Sequence, residues 1–206
     1  MPDGANHVAF AYSADGRDRF TTVYPNLNLL DGTKDFSGNW TLSDHWVTDG
    51  TYKGLTVKKR TEKFFGIYKT FKAPKDGNYT FSAYVKSTGK TANVNRYVYI
   101  NDKNDSLAEP NKALGNNFDW LRDSFTVTLK ANDTISTRYE MKGSEPDLIL
   151  WTAGHKWEEG STATPWMPSF SEATAEDYPS YIGTYTDNDS NAQSTDPVKY
   201  SWKKIN

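Results

Sequence analysis

Three stretches of the chain set aromatic and hydrogen-bonding side chains at every second residue, the spacing that places them on one face of a β-strand. In residues 92–100, Asn95, Tyr97 and Tyr99 point one way, and Val94, Val98 and Ile100 the other. In 133–142, Ser136, Arg138 and Glu140 alternate with Ile135, Tyr139 and Met141. In 78–87, Ser82, Tyr84 and Lys86 alternate with Phe81, Ala83 and Val85. The apolar members are read as core-facing and the others as outward. The outward set of Tyr84, Lys86, Asn95, Tyr97, Tyr99, Arg138 and Glu140 combines flat rings with hydrogen-bonding groups. That mix suits a ligand with weakly apolar C–H faces and polar edges, as a sugar ring has. The wet face of an antiparallel sheet also collects Tyr, Lys and Glu as cross-strand pairs. Trp46, after Asp44-His45, and Trp120, after the GNNFD loop, are read as exposed stacking residues at a rim. Trp40, Trp157 and Trp166 are read as packing residues, and Trp151 stands in a stretch apolar on both faces.

Catalytic patterns are sparse. No G-x-S-x-G occurs, and the three histidines, His7, His45 and His155, are scattered without H-E-x-x-H. A glycosidase needs two carboxylates facing each other across a bond. Glu158 and Glu159 are adjacent and diverge on an extended chain, and Glu140 has no evident partner. The expectation is a protein that is not an enzyme. Asp187-Asn188-Asp189-Ser190-Asn191 begins like a calcium loop but lacks Gly at its sixth position (Ala192) and Glu at its twelfth (Val198). A structural calcium ion held by backbone carbonyls and scattered acids in the sandwich stays open.

The elements that must carry these side chains are strands. Among the 206 residues 15% are aromatic, too many for a disordered chain, while net charge is −2 with no basic run. Nucleic-acid binding is therefore not expected. No apolar stretch is long enough to span a membrane, and the N-terminal residues lack a signal-peptide pattern. The absence of cysteine excludes disulfides and thiolate chemistry. Segments 50–60, 64–72, 78–87, 92–100, 123–130, 133–142 and 146–157, with one more near 39–48, read as β, separated by turns such as Pro74-Lys75-Asp76-Gly77. They predict an all-β fold, an antiparallel β-sandwich (jelly roll) over residues 25–170. The remaining strand-like pieces, in 1–24 and 171–206, are each too small for a core and are expected to join as one small discontinuous β module.

Two sets of strings carry a family resemblance. AYSADGRDRFTT, PWMPSFSEATAEDYPSYIGTYTD and STDPVKYSWKKI resemble a module of tail and baseplate proteins of phages infecting Gram-positive bacteria. NLNLLDGTKDFSGNW and HKWEEGSTATPW resemble the ends of jelly-roll carbohydrate-binding modules found in such phage proteins and in bacterial glycanases. Trp151 and Trp157 depart from that pattern, which has smaller aliphatics there, and imply a local rearrangement of the last strand. The resemblance implies non-enzymatic binding of a host cell-wall or surface polysaccharide, with other baseplate or tail proteins as partners. It also implies a virion component made in the host cytoplasm. Two alternatives stand beside it: a structural decoration or spacer without ligand, and an accessory wall-binding domain of a cell-wall hydrolase.

Overall fold

The structure is a computed structural model and describes residues 4–91, 93–104, 110–143 and 147–205. The chain forms two compact units, Met1–Leu27 with Thr164–Asn206, and Asn28–Ala163. Both are built from antiparallel strands, and no described helix is long and apolar enough to cross a membrane.

The smaller unit is a three-stranded sheet. Strand β1 (Ala5–Ala11) pairs with β11 (Tyr181–Asp187), which pairs with β12 (Ser201–Lys204). Alternation buries Ala9 and Ala11 on one side of β1. Phe20 packs edge-on to Trp202, and Tyr200 packs against Tyr185 at 4.8 Å between ring centres. His7 stacks on Tyr185 and lies 2.8 Å from an Asp187 carboxylate oxygen. The two segments of the unit also meet where the larger one is inserted, since Asn26 N–H donates to Thr164 Oγ1 at 3.0 Å.

The larger unit is a sandwich. Its five-stranded sheet runs β2 (Val47–Tyr52), β3 (Leu55–Arg60), β10 (Ile149–Glu159), β5 (Gly77–Thr88), β8 (Phe118–Leu129). Its four-stranded sheet runs β4 (Phe71–Lys72), β9 (Thr134–Lys142), β6 (Asn93–Ile100), β7 (Lys112–Gly115). Between the sheets, Tyr79, Phe81, Val85 and Trp157 meet Val94, Val98, Ile135, Tyr139 and Met141. Trp157 is fully buried and stacks on Phe71 at 5.4 Å. Burying so large a ring contributes a few kcal/mol, roughly what Trp→Ala removal costs in a core.

Two polar groups share this interior. Arg96, on the core side of β6, places Nη1 2.8 and 2.9 Å from the two Asp123 carboxylate oxygens. Its Nε donates to the Pro110 carbonyl, and the Tyr139 hydroxyl donates to Asp123 at 2.7 Å. Burial, then the Asp123 charge, pushes the Tyr139 phenol well up. His155 is ringed by Phe36, Trp40, Phe81 and Tyr139, with Thr152 Oγ1 2.9 Å from its Nε2. Burial pushes its pKa down to about 3.

The strands differ from the sequence reading at three places that matter. Residues 50–60 are a hairpin: Lys53 and Gly54 both have positive φ (50° and 78°), the geometry of a two-residue primed turn. Strand β8 begins at Phe118, so Trp120 stands on a strand and not in a loop. Within 64–72 only Phe71–Lys72 is strand, because Phe64 and Phe65 take left-handed backbone (φ 62° and 56°). Strand β10 carries a bulge, where pairing with β5 shifts between Ala153 and Lys156 around Gly154 (φ 63°).

Candidate functional site

The nine residues read from the sequence do not make one surface. Five of them, Asn95, Tyr97 and Tyr99 on β6 and Arg138 and Glu140 on β9, lie together on the outer face of the four-stranded sheet, where Tyr97 is opposite Arg138 and Asn95 opposite Glu140. Three, Tyr84 and Lys86 on β5 and Trp120 on β8, lie on the outer face of the five-stranded sheet. Trp46 lies on neither. It is 4% exposed and packed in the sandwich core, its indole N–H donating to the Phe65 carbonyl at 2.8 Å. The reading of Trp46 as an exposed rim residue is therefore corrected. A polar flanking sequence did not keep the large ring out of the core, because one backbone carbonyl satisfies its single donor.

On the four-stranded sheet the rings also carry cations of this chain, beside a groove of about 220 Å³ next to Asn95, Tyr97 and Lys142. The Arg138 guanidinium sits 3.7 Å from the Tyr68 ring centre and 4.0 Å from that of Tyr99. Lys142 lies 5.3 Å over Tyr97, and its hydrogen bond to that phenol raises the lysine pKa. Glu140 accepts from the Gly66 N–H at 2.9 Å. This face is laced by its own cation–π pairs, worth about 0.5–1 kcal/mol each where exposed.

The five-stranded sheet presents a different surface. A groove of about 210 Å³ lies on its outer face, lined by Asp49, Thr51, Val57, Lys86, Trp120 and Trp151. The hairpin brings Asp49 and Thr51 there on β2. Trp151 is opposite Lys86 on one side and Lys59 on the other, so its ring rises from the middle of the sheet. Its indole N–H donates to Asp49 at 2.8 Å, and Lys86 Nζ lies 5.0 Å over the ring. Lys59 stands 4.0 Å from Asp49, and Lys86 3.9 Å from the exposed Asp119. Trp120 stacks on Tyr52 at 4.3 Å with 12° between the planes, and Tyr52 meets Tyr84 edge-on at 5.1 Å. Tyr84 is thereby 8% exposed and supports the site from beneath rather than offering a face. Burial raises the Tyr52 pKa and depresses that of Arg122, whose guanidinium approaches Tyr84.

Tyr52 and Trp120 come from the two edge strands. Five strands at the usual spacing set flat edges roughly 19 Å apart, too far for two rings to touch. The sheet and its β2–β3 hairpin therefore curl enough for these two side chains to stack across the face. The result is a concave site with two tryptophans fixed in orientation, one lysine and one carboxylate within it. Such a site can stack a ring and pair with hydroxyls. Asp49, Thr51, Tyr52 and Trp151 were not singled out from the sequence; a Lys53-Gly54 turn within TYKGLT was the signal that would have placed the first three. Among the described residues, no three or more His, Asp or Glu side chains gather as a metal site.

No family model matches the sequence, and no curated protein does either. Solved structures match in fold. A chain from the structure of the tripod (BppUct-A-L) of the baseplate of bacteriophage Tuc2009 matches over 100% of this chain and 80% of its own, with TM-score 0.64 and 24% identity. TmCBM61, solved in complex with β-1,4-galactotriose, matches 66% of this chain and 100% of its own, with TM-score 0.51 and 12% identity. The chain thus has the β-sandwich fold of carbohydrate-binding modules. Over its full length it shares its architecture with a component of a phage baseplate.

Proposed function

We propose that this chain is a non-enzymatic carbohydrate-binding module of a phage tail or baseplate, made in the host cell and carried on the virion. Its ligand would be a wall or surface polysaccharide of a Gram-positive host. The observation that carries the reading is the concave groove of the five-stranded sheet, with Trp120 and Trp151 held by Tyr52, Asp49 and Lys86 beside it. The fold shared with a baseplate component and with a galactotriose-binding module supports it. Rings already fixed in place lose little freedom when a sugar stacks on them. Binding at one shallow site is weak, and many copies on a virion would supply avidity.

The test is sedimentation of the purified chain with intact Gram-positive cells and with their extracted wall polysaccharide. Saturable binding, competed by free polysaccharide and lost in Trp151→Ala, would sustain the reading. Absence of binding across a broad panel of strains, with the protein multimerised, would replace it by a structural spacer of the virion.

A further inference from the structure

The stacking of Tyr52 on Trp120, side chains of the two edge strands, bears on what part of a polysaccharide the groove can take. An open sheet face lets a chain lie across all its strands and leave at either side. Here the floor is Val57, Trp151 and Lys86, one side is Asp49 and Thr51 of β2, and the other is Trp120 of β8. The two sides touch where Tyr52 stacks on Trp120, and Tyr84 fills the space beneath that contact. A chain running across the strands meets the side chains of Asp49 and Thr51 at one edge and of Trp120 at the other. One running along the strands meets, at the Trp120 end, the bar of rings that Tyr52 and Trp120 form across the face. The volume agrees: about 210 Å³ is below the roughly 300–1,000 Å³ of pockets that hold drug-sized ligands.

We infer that the groove, barred at one end by the Tyr52–Trp120 stack, receives the terminal sugar of a chain, not an internal segment of a polymer. This rests on the carbohydrate-binding reading above and narrows it to a ligand class. Trp151 supplies the floor on which the terminal ring lies, Lys86 and Asp49 face its hydroxyls, and the Tyr52–Trp120 contact is the stop.

The experiment uses the whole chain and a bound wall polysaccharide cut by mild acid into fractions of the same composition and decreasing length. Saturation binding is measured per gram of each fraction. A pocket for chain ends gives a capacity that about doubles each time the length is halved, because the number of ends doubles. A capacity per gram independent of length overturns the inference while leaving carbohydrate binding intact. No binding to any fraction overturns both. Tyr52→Ala, checked for folding by its thermal transition, removes the stop. It is expected to bind long fractions with a capacity that no longer depends on length. A Tyr52→Ala chain that keeps the wild-type length dependence would also overturn the inference.

Discussion

At the scale of single residues, two tryptophans and a buried ion pair carry most of the consequences. Trp151 is held by Asp49 and Lys86, so Trp151→Ala removes a stacking surface already fixed in place. A loss of at least tenfold in polysaccharide affinity is expected, equivalent to about 1.4 kcal/mol, and titration of the folded variant would measure it. Tyr97→Ala, on the opposite sheet beneath Lys142, is expected to change affinity less than twofold, on the order of 0.4 kcal/mol. A large loss in Tyr97→Ala with none in Trp151→Ala would move the site to the four-stranded sheet. Asp123→Ala leaves the Arg96 guanidinium buried without its carboxylate. A destabilisation of about 3–5 kcal/mol is expected by denaturant unfolding, because an uncompensated buried charge remains. Alternation in the sequence placed Tyr97, Tyr99, Arg138 and Glu140 outward, since period two survives any error in strand ends. It did not show that cations lie over those rings. That outcome depends on which strands become neighbours, as when β9 brings Arg138 between Tyr68 and Tyr99.

Strands and turns account for the remainder of the site. The β character of the sandwich was legible because Val, Thr, Tyr and Phe cluster between polar turns. The hairpin at Lys53-Gly54 was not, since Lys-Gly is a weaker turn signal than Asn-Gly or Asp-Gly. With 50–60 read as one strand, β2 vanished, and Asp49, Thr51 and Tyr52 with it. Likewise, starting β8 at 123 left Trp120 in a loop, although its strand is what sets it against Tyr52. The bulge in β10 rests on Gly154, where a side chain would need left-handed backbone and a Cβ would lie 2.8 Å from Leu55 Cδ1. Gly154→Ala is expected to cost about 1–2 kcal/mol and to lower the thermal midpoint, with larger loss if the hairpin shifts. A midpoint equal to that of the wild type would show that the bulge has another conformation open to it. The same strand carries His155, whose folded pKa of about 3 lies below the ordinary value of 6.5. The folded state therefore binds fewer protons than the unfolded one between those values. Its contribution is full above pH 6.5 and is lost as pH falls toward 3, at about 1.4 kcal/mol per pH unit within that window. His155→Gln is expected to show a shallower fall in thermal midpoint from pH 6.5 to 4 than the wild type; parallel slopes would refute the assignment.

Across the whole molecule, one unit is interrupted by another. The sandwich begins and ends close together, for the Leu29 N–H donates to the Trp157 carbonyl and the Asn28 side chain to that of His155. Composition and strand-like strings at both ends showed that the terminal pieces lacked a core of their own. They did not fix where each unit stops, because the connecting segments carry no linker composition. Residues 28–163 expressed alone are expected to fold with one cooperative transition, followed by circular dichroism; a chain without such a transition would deny the unit its independence. The β1–β11 pairing joins residues as far as 182 positions apart, Ala5 with Asp187. A ribosome adding about 5–20 residues per second needs on the order of ten to forty seconds to supply that partner. Throughout that interval the first strand emerges as a solitary edge, its row of amides open to pairing with a neighbouring nascent chain. Crowded synthesis on one messenger would thus favour exchange of β1 between copies.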